Sequence, residues 1–248
     1  MTRRQLENFF PDTYNFFAEV FDKHPFWQAV FQLSLDEAKN GETLLSDLER
    51  IFSSLRLLDN HRVLKDHLED IHNHDELMAM LTSLYMAYLY REHHPRLISG
   101  KHGYDLELQV ADQLIAMGVV QFKNFEPLQI QFAPQIEDEM QHWQAMQENE
   151  QNSTELFFHH LKKHARKLKE HPQAKHQIMA AITKQSALSY STLIDQHVKK
   201  HQTQMQENFP HLAGIVLVDP RPGKERAKFI PFHGEVHELE MLLQKNSN

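Results

Sequence analysis

Histidine is the residue most able to do chemistry in this chain, with nineteen in 248 residues and several in pairs. Imidazoles at helical or short spacing beside carboxylates hold Zn, Ni or Fe. The Glu-x-x-His pattern of di-iron bundles occurs at Glu69/His72 and Glu139/His142. Two matches are what 21 Glu and 19 His scattered at random would give, so neither is a signal. The same holds for Arg and His with four to six residues between them, the spacing of helical ribonucleases, at Arg62/His67, Arg96/His102, Arg166/His171 and Arg226/His233. The densest cluster is EDIHNHDE, with Asp70, His72, His74 and Asp75. A polar turn between helices accounts for it better, with Asp75 in a first helical turn where acids complement the dipole. His233 and His237 are four apart with Glu235 between them, but they lack the His-Glu-x-x-His order of zincins. His160 and His164 are also four apart, yet five Lys/Arg between 162 and 169 repel a cation. No bound metal is therefore expected.

The stronger pattern is basic. In FFHHLKKHARKLKEH, Phe157, Phe158, Leu161, Ala165 and Leu168 fall on one helical stripe. Lys162, Lys163, Arg166, Lys167 and Lys169 cover the other face, where they can neutralise phosphates. A second basic group, Arg221, Lys224, Arg226 and Lys228, occupies the loop DPRPGKERAK. It is no P-loop, because GxxxxGK[ST] is absent. Residues 1–150 carry a balance of −13 and residues 151–248 one of +5. That split implies a basic surface for nucleic acid or an acidic protein, or else docking between the two halves.

These groups must be positioned by elements the periodicity outlines. The first hundred residues read as an array of helices, including ETLLSDLERIFSSLRLL and a buried helix ending before Pro95. LMAMLTSLYMAYLY is fourteen residues long, short of the roughly 20 that span a bilayer, so no membrane association is expected. RLISGKHG marks a boundary. Beyond it YDLELQVADQLIAMG reads as a helix capped by Gly118, then VVQFKNF and LQIQF as two strands. Further helices are expected over 154–171, 175–185 and 187–207, then GIVLVD and AKFIPF as paired strands, and a closing helix at EVHELEMLLQ. The fold class is a helix-rich α+β protein: a helical region over 1–100 and, over 101–248, a small sheet flanked by helices. Without cysteine the chain has no zinc ribbon, Fe–S cluster, thiol nucleophile or disulfide scaffold. A cytoplasmic protein is the expectation.

This order of elements over about 104–232 resembles the PD-(D/E)xK, restriction-endonuclease-like fold. The resemblance implies a glutamate on the helix, where Glu107 stands, and a first strand acid, for which Glu126 is the candidate. It also implies an acidic-x-Lys pair that binds Mg²⁺, but Gln129 and Gln131 stand there, and the later option, Asp219 with Glu225-x-x-Lys228, has the wrong spacing. Mg²⁺ needs hard anionic ligands that two glutamines cannot supply. The implied protein is a degenerate nuclease fold that binds nucleic acid or a protein partner without catalysis. The alternatives are a Mg²⁺-dependent nuclease with an unaligned site and a histidine-rich helical metalloprotein.

Overall fold

The computed structural model describes residues 3–15, 40–55, 74–98, 103–121, 154–182, 191–219, 226–234 and 237–244. It combines helices with one mixed sheet of six strands, hydrogen-bonded in chain order. That sheet is larger than the small one expected. Two compact units divide the chain, Met1–Leu114 and Ile115–Asn248. Among the described residues no helix is long and apolar enough to cross a membrane.

In the first unit α1 (Arg3–Phe9) and a helical turn at 11–15 precede α2 (Asn40–Leu55) and α3 (His74–Leu89). Leu48, Ile51 and Phe52 of α2 are buried, and α3 is buried on every side from Leu84 onward. A long apolar helix with no polar face has to lie inside a core. The two-residue strand β1 (Arg96–Leu97) pairs antiparallel with β2 (Leu106–Val110). Glu49 of α2 accepts three hydrogen bonds from the start of the 11–15 turn, from Asp12 N (2.9 Å), Thr13 N (2.8 Å) and Thr13 Oγ1 (2.8 Å). It caps that turn from a distant element, satisfying amides that a helix start leaves without partners. Thr13 is fully buried, so Glu49→Ala strands its hydroxyl. The expected cost is about 2–3 kcal/mol in urea denaturation, with Glu49→Gln losing less. Equal stability of the Ala variant and the parent would contradict this role.

The span read as a helix from Tyr104 to Gly118 is instead strand β2, the two residues Ala111 and Asp112, and strand β3 (Gln113–Gln121). Leu106 and Leu108 face the interior at the period of a strand. Leu106, Val110 and Leu114 also satisfy a helical period, and the turn has no glycine to betray it. Ala111 itself takes φ 51°, a conformation an L residue adopts at a cost. The helix expected over 175–185 is strand β4 (His176–Ile182), and the one expected over 187–207 is two helices, α5 (Ser191–Lys200) and α6 (Gln202–Asn208). The first basic helix, α4, runs over 154–165 and stops short of 171. GIVLVD and RAKFIP are β5 (Gly214–Asp219) and β6 (Arg226–Pro231), antiparallel in the expected pairing. The closing helix is α7 (His237–Leu243).

In the second unit β3, β4 and β5 are parallel neighbours. Parallel neighbours need crossovers, which α4 and then α5–α6 lie within. Right-handed crossovers running the same way across a sheet land on the same face. The core agrees: Phe157, Phe158, Leu161, Ile194, Val198 and Met205 cluster with Val120, Met179, Ala181, Ile215, Leu217 and Ile230. The alternate strand residues Ile178, Ala180, Val216, Val218 and Phe229 are buried as well, as strands covered on both faces require. The sheet order thus sets α4 beside α5–α6 in one layer.

Candidate functional site: a groove between helices

The amphipathic reading of α4 holds. Phe157, Phe158 and Leu161 are buried, Ala165 and Leu168 pack against the same core, and Lys163, Arg166, Lys167 and Lys169 are exposed. Lys162 differs from its neighbours. It is half-buried, and its ammonium donates to Asn208 Oδ1 of α6 at 2.5 Å, linking the two helical walls.

Between those walls lies a groove of about 610 Å³. From α4 it is lined by Glu155, Phe158, His159 and Lys162, a single helical face at i, i+3, i+4 and i+7. From α5 it is lined by Leu193, Gln196, His197 and Lys200, and beyond them by His201, Gln204, Met205, Asn208 and Phe209. Phe158, Met205 and Phe209 are buried in its floor. Three rings follow one another along it. His197 stacks on Phe158 with centroids 4.7 Å apart and planes at 17°, and His201 lies 4.5 Å from His197 at 37°. Among the described residues the lining thus brings two ammonium groups and three imidazoles together with one carboxylate, that of Glu155. Lys199 points its charge elsewhere, to Asp195 at 2.9 Å. Among the described residues, Lys162 is the one basic candidate from the sequence that lines this groove, beside Phe158 of the apolar stripe. His197, Lys200 and His201 were not selected, although DQHVKKH places them at helical spacing.

The remaining sequence candidates are scattered. Glu107 sits on β2 in the first unit, opposite Arg96 and 3.8 Å from its guanidinium. Asp219 ends β5 opposite Arg226, which is exposed. Lys228 donates to Ser191 Oγ at 3.3 Å, tying β6 to the start of α5. Glu126, Asp70, His72, Arg221 and Lys224 lie outside the described residues, as do the side chains of His74, Asp75 and His237. Among the described residues no group of three or more metal-ligating side chains converges.

Burial holds three imidazoles below their ordinary range. His197 is pushed down by loss of solvent, then by His201 and Lys200, against the opposing pull of Glu155. His164 is lowered by burial and then by Lys167, Lys163 and His160. His176 is lowered by burial and by Lys175, with Glu238 opposing. Each is neutral in the folded protein at a pH where the unfolded chain, near 6.5, already binds a proton. Their stabilisation is complete above pH 6.5 and is lost as pH falls through the lowered values. Thermal melts at pH 8, 7, 6 and 5 should show a plateau, then a declining Tm below about 6.5. A Tm that rises on acidification would show that protonation of these sites favours the folded state.

Compared with family models, curated proteins and solved structures, the chain matches none.

Proposed function

We propose that the second unit is a non-catalytic nucleic-acid-binding module that works through its α4–α5–α6 layer. The observation that carries this reading is the charge of the groove. On a chain of net charge −8, this face presents Lys162 and Lys200 against the single charge of Glu155, with three imidazole rings around an apolar floor. Lys163 on the same helix and Arg166 and Lys167 just beyond its end add three exposed cations to this region of the unit. Nucleic acid is the polyanion that rewards both a row of cations and stacking rings, whereas an acidic protein surface rewards only the cations. The proposal rests on the groove and does not depend on the restriction-endonuclease resemblance.

The test is a fluorescence-anisotropy titration of the intact protein with a labelled oligonucleotide at increasing salt. Contacts to two to four phosphates predict a log–log slope of roughly −1.5 to −3 for a single strand. Affinity indifferent to salt, or no binding at low salt, would remove the reading. An acidic peptide that competes equally well would transfer it to a protein partner.

A further inference from the structure

The ring contacts in the groove narrow the ligand beyond a generic polyanion. We propose that the groove takes an unpaired base of a single-stranded nucleic acid against the Phe158–His197–His201 stack, with flanking phosphates on Lys162 and Lys200; this rests on the nucleic-acid reading above.

Two features favour a base over phosphate alone. Phosphate binding needs only cations, yet this groove has a floor of Phe158, Met205 and Phe209 and aromatic planes already in stacking geometry. Every base has a π-face to add to such a series, which is how single strands are held without sequence readout. Glu155 is the second feature. A carboxylate repels phosphate but accepts a hydrogen bond from a base amino group, so its place among the lining residues suits a base edge. A duplex is excluded from this role because its bases are stacked on each other and offer no free face. The space of about 610 Å³ is in the range that encloses small ligands, enough for a nucleotide and too small for a double helix.

The experiment compares three labelled 20-mers with the intact protein: a single strand with bases, an abasic strand with the same phosphates, and a duplex. The single strand should bind about tenfold more tightly than the abasic strand. His201→Ala and His197→Ala should each remove most of that ratio while leaving abasic affinity unchanged. His201→Phe keeps a ring and should keep the ratio. Lys162→Gln with Lys200→Gln should weaken all three ligands together. Thermal melts of each variant separate a lost stack from a lost fold, and His201, half-buried at a helix junction, supplies the milder substitution. A single strand, abasic strand and duplex bound alike with a salt-dependent affinity would overturn the stacking inference and leave the nucleic-acid reading intact. No binding of any of the three would overturn both.

Discussion

Gly214→Ala will destabilise the protein by about 3 kcal/mol, a loss large for so small a change. Gly214 opens β5, where it pairs with Ile178 of β4 on one side and Pro231 of β6 on the other. A Cβ there would lie 2.4 Å from the backbone oxygen of Ile230 and 2.8 Å from ring carbons of Phe229. A backbone oxygen in a paired strand has no rotamer to change, so β6 itself must shift and its ladder with β5 must open. Gly118→Ala is the control. Its Cβ would meet Leu168 Cδ2 at 2.9 Å, the far end of a flexible side chain, which can rotate aside. That substitution should cost under about 1 kcal/mol, partly offset by the lower entropy of the unfolded chain. Chemical denaturation of both variants decides the matter. Equal losses would mean that the close approach at Gly214 is not what demands glycine.

The second large effect is electrostatic. Replacing Lys162, Lys163, Arg166 and Lys167 with glutamine should weaken oligonucleotide binding by about 10- to 100-fold at 50 mM salt and flatten the salt slope by roughly 1 to 2. Three of these side chains are exposed and carry no core contact, so the fold should change by less than about 0.5 kcal/mol at each. Lys162 is the exception because it bridges to Asn208, and a separate Lys162→Gln variant isolates that contribution. Arg226→Gln provides the contrast. It removes an exposed charge on β6, at a strand position away from the groove, and should have a much smaller effect. If Arg226→Gln matched the quadruple variant, the basic loop between β5 and β6 would be the binding surface.

Several elements were legible from local pattern because their periodicity admits one reading. GIVLVD and AKFIPF are separated by turn residues and could only be strands, and they pair as expected. In α4 the stripe of Phe157, Phe158, Leu161 and Ala165 alternates with charged and polar residues at a helical period too regular for a strand. The apolar run ending at Tyr90 was too short for a bilayer and too uniform for a surface, which left a core helix. The misread elements are those in which two periods coincide. His176–Ile182 is a central parallel strand buried on both faces, and a short continuous apolar run looks the same in a buried helix. Leu106–Gln121 turns at Ala111–Asp112 without glycine or asparagine, and a lone aspartate is as much at home on an exposed helix face as in a turn, so the reversal was masked.

The candidate site divides along the same line. The sequence by itself determined a basic, amphipathic helix starting at 154, though it extended it to 171, and a positive balance in residues 151–248, because charge and helical period are properties of neighbouring residues. It also placed His197, Lys200 and His201 at helical spacing without indicating what they would face. Only the tertiary structure decided that, by ordering β3, β4 and β5 side by side and laying α4 against α5–α6 on one face. The contacts that define the groove, Phe158 on His197 and Lys162 on Asn208, join residues 39 and 46 positions apart. No local period encodes such a separation. It follows from the hydrogen-bonded order of the strands between them, which the whole chain settles at once when its apolar residues are buried.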